Sequence, residues 1–136
     1  AKGYNDIAVV GPILGYIASA GIIAIALFKK HKDDAALFTA MMFGLVIYYA
    51  FSTTVHPWYI SLILIMSIFT RYKFALLWSF LVVLSYSAYQ TDAFTENLWL
   101  VATEYVMVFG IMIYEVIKLT KKEDIELQLK SFFKDK

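Results

Sequence analysis

The sequence predicts an all-α protein: a polytopic membrane helix bundle of about five transmembrane helices with a C-terminal amphipathic interfacial helix. Three observations point there. Apolar residues make up 61% of the chain and mean hydropathy is +0.68, well outside the ordinary soluble range. Residues 7–28, 35–70 and 74–91 contain no Asp, Glu, Lys or Arg, and residues 97–118 are interrupted only by Glu104 and Glu115 before Lys118. Finally, the basic residues cluster in alternate loops. The short alternating segments of a β-barrel do not occur.

The first span, 7–28, ends at Lys29-Lys30. Lys2, the apolar run and Ala18-Ser19-Ala20 imitate a signal peptide, but the run continues for a full span, so it is read as a membrane helix. Gly11 and Gly15 form a small-xxx-small pair suited to close helix packing. The uncharged stretch 35–70 is long enough for two crossings at roughly 20 residues each. His56-Pro57 marks the turn between them and divides it into spans 35–55 and 57–70. The fourth and fifth spans are 74–91 and 97–117, which completes a membrane domain over 1–119. The tail, 120–136, opens on Thr120-Lys121-Lys122-Glu123, a candidate capping box with Thr120 as N-cap. Ile125, Leu129, Phe132 and Phe133 then form an apolar stripe among lysines, as expected of a helix lying on an anionic cytoplasmic leaflet, with a partner-docking helix as the alternative.

Loop charge sets the expected orientation. Lys29, Lys30, Lys32, Arg71, Lys73 and the six lysines from Lys118 to Lys136 fall on one side, leaving Lys2 alone on the other. The positive-inside rule places the first set in the cytoplasm, with the N-terminus outside. Trp58, Tyr59, Tyr89 and Trp99 then lie at the outer interface, where aromatic residues anchor helices by default.

Composition also removes several kinds of chemistry. Without cysteine the chain has neither a disulfide framework nor a thiolate metal site, and His31 and His56 are its only histidines, so no metal site is expected. There is no phosphate-binding loop and no nucleophile elbow, and nothing suggests a nucleic-acid partner.

What remains is Thr53-Thr54-Val55-His56-Pro57-Trp58-Tyr59. Pro57 suits the first position of a helix, because its missing N–H would be unpaired there anyway. The amides of Tyr59 and Ile60 would then point outward beside His56, a ready-made phosphate site. The third helix is short for a bilayer, so either Arg71 snorkels deeply or the turn lies below the outer surface, at the mouth of a wet cavity. Trp58, Glu104 and Tyr86 are the expected cavity-lining residues. The plainer alternative has His56 capping the helix or satisfying a carbonyl, and the two aromatics anchoring the interface. Glu104, about 10 Å into the membrane by helical rise, either faces this cavity or makes a structural hydrogen bond or ion pair. Glu115 reads as interfacial.

The segments Ser52-Thr53-Thr54-Val55-His56-Pro57-Trp58-Tyr59, Trp78-Ser79, Leu84-Ser85-Tyr86, Glu96-Asn97-Leu98-Trp99 and Glu104-Tyr105 resemble, in register, the C-terminal part of bacterial GT-C glycosyltransferases. The mannosyltransferase-like proteins of the Bacteroidetes group are the nearest likeness, over residues 2 to about 119. The resemblance implies transfer of a sugar, mannose in that group, from a polyprenyl-phosphate donor to an acceptor outside the cytoplasm of a bacterial inner membrane. It implies no further cofactor; the partners are membrane lipid and the lipid-linked sugar donor. Two family features are missing: a larger number of helices, and a catalytic acidic residue in the first large outer loop. Asp6 lies near the start but outside that motif context. The resemblance therefore implies a C-terminal segment whose catalytic residue, and whose remaining helices or partner subunits, lie outside this chain. Read without it, a small non-enzymatic membrane scaffold or transporter subunit is the alternative.

Overall fold

The computed structural model describes residues 2–28, 33–53, 55–84 and 98–134. Among these the secondary structure is helical and contains no strand. In chain order the elements are α1 (Lys2–Phe28), α2 (Asp34–Ala50), a 3₁₀ turn (Pro57–Tyr59), α3 (Ile60–Ile68), α4 (Phe74–Leu81) and α5 (Leu98–Lys134). The chain divides into two compact units, Ala1–Arg71 and Tyr72–Lys136.

In the first unit α2 is the middle helix, with a separate stripe for each neighbour. Asp33 starts it: its Oδ1 accepts the Ala36 N–H at 2.7 Å, satisfying an amide that the first helical turn would leave unpaired. Ala40, Gly44 and Ile47 recur at the four-and-three spacing of one helix face. Along this stripe a Cβ on Gly44 would lie 3.9 Å from Ile22 of α1, and one on Gly21 would lie 3.3 Å from the Ile47 Cγ2. Met42, Val46 and Tyr49, all buried, form the stripe toward α3. There Tyr49 stacks on Tyr59 just before α3, and the Thr70 hydroxyl just after α3 lies 3.9 Å from the Met42 sulfur. These pairings run in opposite directions along the chain, so α2 is antiparallel to both neighbours.

The small-residue seam differs from the sequence expectation. Gly11 does approach the segment just after α2, at Thr53, but a Cβ on Gly15 would meet nothing within 4 Å. The close approach is made lower on α1 by Ala18, 3% exposed, and by Gly21. A pair of glycines four apart shows where backbones can approach, and the partner helix decides which of them is used.

The second unit is α4 laid on α5. Phe74, Ala75 and Trp78 of α4 are buried, as are Glu104 and Val108 of α5. Glu115, one further stretch along α5, accepts the backbone N–H groups of Lys73 and Phe74 at 2.8 and 3.0 Å. It therefore caps the N-terminus of α4, a position where negative charge is also favoured by the helix dipole. This residue had looked merely interfacial.

Element boundaries depart from the expected spans in three places. α2 ends at Ala50 rather than near 55: the last turn tightens as the Ser52 N–H closes on the Tyr49 carbonyl, three residues back, at 3.2 Å, and β-branched residues ahead of a proline favour extended backbone. The third helical stretch is Pro57–Ile68; the fourth follows its expected span from Phe74 to Leu84, and residues 85–91 of that span lie outside the described residues. The tail is not a separate helix. Thr120 lies inside α5, which runs unbroken for 37 residues, so the Thr120 capping box does not form. Helix-forming Leu119, Lys121, Lys122 and Glu123 surround it with no Gly or Pro to stop the helix. Two helices, Ile7–Phe28 and Leu98–Gln128, are long and apolar enough to cross a membrane, whereas α2 and the two stretches after it are shorter.

Gly21→Leu is expected to destabilise the fold by about 1–3 kcal/mol through overpacking against Ile47. Gly15→Leu, with open space around it, should stay within about 0.5 kcal/mol of the parent. Unfolding of the two variants in detergent micelles compares them directly.

Candidate functional site

The His56–Tyr59 turn is built by its proline. A residue preceding proline is pushed out of the helical region, and His56 is extended at φ −78°, ψ 141°. Pro57 then opens a 3₁₀ turn in which the Tyr59 N–H donates to the His56 carbonyl at 2.9 Å. The Ile60 N–H turns back on the Pro57 and Trp58 carbonyls, and the Ser61 hydroxyl donates to the Trp58 carbonyl at 2.7 Å.

This overturns one expectation. The amides of Tyr59 and Ile60 were to be available for a phosphate, and both are engaged inside the turn. A 3₁₀ start closes its bonds one residue earlier than an α-helix does, so those donors are consumed locally. Of the plainer alternative, the capping half is not seen, because the His56 side chain makes no capping hydrogen bond.

The His56 ring packs instead against aromatic neighbours. It lies flat on Trp58, with ring centres 4.5 Å apart and planes 4° from parallel. It meets Tyr59 edge-on at 5.4 Å. Tyr59 stacks on Tyr49 at 5.8 Å, and Tyr49 touches Tyr48 at 5.7 Å. A ladder of rings thus leads from the imidazole into the first unit. It ends beside an apolar groove of ≈ 590 Å³, into which Tyr48 projects together with Ile22, Ile25, Met41, Leu45 and Leu62. Tyr48 and Tyr49 were not singled out in the sequence. Their position one helix back from the turn places them opposite it only because α2 and α3 are antiparallel.

Glu104 belongs to the second unit. Its side chain is 2% exposed, and Oε1 accepts the Trp78 indole N–H at 2.9 Å. Trp78 also packs on Tyr105 and Phe109 at 6.0 and 6.2 Å, and those two rings stack on each other. Of the two roles open to Glu104, the structural hydrogen bond is the one present. A signal for it was available: Glu104 and Glu115 are eleven residues apart, just over three full turns at about 3.6 residues each, and so share one face of α5. Tyr86 lies outside the described residues. The turn therefore brings His56, Trp58, Tyr59 and Ile60 together, while Glu104 has its own partner in the other unit. Among the described residues no three His, Asp or Glu side chains gather as metal ligands would.

Among the described residues, Tyr72, in the loop ahead of α4, is the one group outside the apolar helices whose titration is displaced. Burial, followed by the Glu123 and Glu115 carboxylates, raises its phenol above the ordinary value.

Comparison with protein-family models, with curated proteins and with solved structures returned no match.

Two outcomes follow for the second unit. Glu104→Ala removes the acceptor from a buried indole and should cost about 1–3 kcal/mol, whereas Glu104→Gln keeps an acceptor and should cost less; a double-mutant cycle with Trp78→Phe measures the coupling. The raised phenol stabilises the fold fully below its ordinary value, near 10, and that contribution is lost as pH climbs through the displaced value. Tyr72→Phe should therefore soften the alkaline loss of stability, read from unfolding midpoints between about pH 9 and 12.

Proposed function

We propose that this chain is the C-terminal membrane part of a GT-C-type glycosyltransferase that moves a sugar, mannose in the nearest likeness, from a polyprenyl-phosphate donor to an extracytoplasmic acceptor. The observation that carries the reading is the His56 turn joined by its ring ladder to an apolar groove: a polar, titratable head beside a slot for a hydrocarbon chain. The motif resemblance supplies the reaction class. The loop charges support a five-crossing bacterial inner-membrane topology with the turn outside. In this reading the shorter helices complete their crossings beside helices or partner subunits not present in this chain.

In the reaction, the acceptor hydroxyl attacks the sugar C1 and the bond from C1 to the phosphate oxygen breaks. A base outside this chain takes the hydroxyl proton, and the polyprenyl phosphate leaves. Charge grows on that oxygen, and a donor held near it lowers the barrier. His56 is assigned this role through its imidazole N–H, with no contribution from the Tyr59 and Ile60 amides. The groove takes the first isoprene units of the donor.

A scaffold or transporter-subunit reading draws on the second unit, where Glu104 and Glu115 of α5 serve to hold α4. It accounts less well for the apolar groove beside the turn.

In the native membrane polypeptide carrying this chain, His56→Ala should lower transfer by about 10²–10³-fold and weaken binding of the lipid-phosphate donor. His56→Gln, which retains an N–H, should recover part of both. Transfer lost with donor binding untouched would remove His56 from the phosphate.

A further inference from the structure

We propose that the groove along α2 is a slot of fixed length, which holds about the first three to four isoprene units of the donor in line and sends the rest of the tail sideways into the bilayer. This rests on the transferase reading above and specifies which part of the lipid the site reads. The floor of the groove runs along α2 from Tyr48 to Leu37, with Ile22, Ile25 and Ala26 of α1 on one side and Leu62 and Met66 of α3 on the other.

Its dimensions select the occupant. Tyr48 and Leu37 are eleven residues apart, about 16 Å at 1.5 Å per residue. Spread over that length, the groove's ≈ 590 Å³ corresponds to a slot about 7 Å across. A helix with its side chains measures about 10–12 Å, so a further helix would rest on the rim and leave the slot unfilled. A straight carbon chain, with contacts at about 4 Å, leaves part of the width empty and forfeits those contacts. The methyl branches of an isoprenoid take up that width.

Polarity sets both ends. At one end Tyr48, the one polar side chain among the lining residues, joins the ring ladder to the His56 turn. At the other, Asp34 and Asp33 precede Leu37 by three and four residues and lie on its side of α2. Both are exposed, and Asp33 caps the helix. A tail continuing past Leu37 would exchange apolar neighbours for two carboxylates, whose loss of water it cannot compensate. An isoprene unit places four bonds in line, against three for an extended residue at about 3.4 Å, which gives the three to four units. Met41 and Leu37 are 46% and 44% exposed, so the groove is open along its length and a longer tail leaves there.

The test uses the native membrane polypeptide in phospholipid nanodiscs and two photoprobes. Each is a prenyl-phosphate mannose of four isoprene units, with a diazirine on the first unit in one and on the fourth in the other. The first-unit probe is expected to label Tyr48 or Leu62 and the fourth-unit probe Leu37 or Ala26, read by peptide mass spectrometry, with both labels lost under excess donor. Ala26→Phe, at an exposed position, fills the far end. It should abolish the fourth-unit label at Leu37 and keep the first-unit label at Tyr48, whereas Ala24→Phe, exposed on α1 but outside the groove, should keep both. Both probes labelling the same residues, a fourth-unit label outside the groove, or a fourth-unit label at Leu37 that survives Ala26→Phe overturns the slot, while sugar transfer from the same probes keeps the transferase reading. Labels in the expected order without transfer keep the slot and remove the transferase. A parent polypeptide that neither takes label in the groove nor transfers sugar overturns both.

Discussion

Polar groups on helices with apolar surfaces have to find partners within the chain, and the local features of this fold follow from that constraint. Each helix end and each buried carboxyl exposes donors or acceptors that are costly to leave unmade where water is scarce. Glu115 answers for the first amides of α4, Glu104 for the Trp78 indole and Asp33 for the start of α2. The His56 turn is the same solution carried out by backbone alone, because its 3₁₀ geometry consumes the amides of Tyr59 and Ile60. What looked like an anion site in the sequence is a self-satisfied turn, and the chemistry of that turn passes to its rings.

The two glutamates show how a charged residue in an apolar helix can be read wrongly when taken alone. Each had seemed a separate feature, one a site candidate and the other an interfacial charge. On one face of α5 they grip α4 at two points, and α4, whose buried side chains are only Phe74, Ala75 and Trp78, depends on that grip. The rings of Tyr105 and Phe109 surround the indole and shield its hydrogen bond, which strengthens it in a low-dielectric setting. Glu104 thus gains a structural explanation, and the case for function rests on the first unit.

In the first unit, structure and proposed chemistry share the same residues. Tyr49 both fills the contact between α2 and the turn and links the imidazole to the groove, so packing and access are not separable there. Gly21 and Gly44 let α1 close on α2, and that approach sets one wall of the groove. A substrate with a charged head and a long apolar tail would meet both ends of this arrangement in order.

The helical class, the approximate positions of the apolar segments and the turn at His56-Pro57 are legible in the chain alone, because uncharged runs and a proline act locally and need no partner to be read. The chain also supplied the residues of the turn. Packing settles the rest: which glycine meets a neighbour, that Tyr48 and Tyr49 extend the turn into the first unit, that α5 runs on through Thr120, and that Glu104 and Glu115 serve α4. Those outcomes depend on contacts between residues far apart in the chain. A capping box or a small-xxx-small pair states what a segment can do alone, and the packing of one helix on another selects among those possibilities by which polar groups and which volumes it must accommodate.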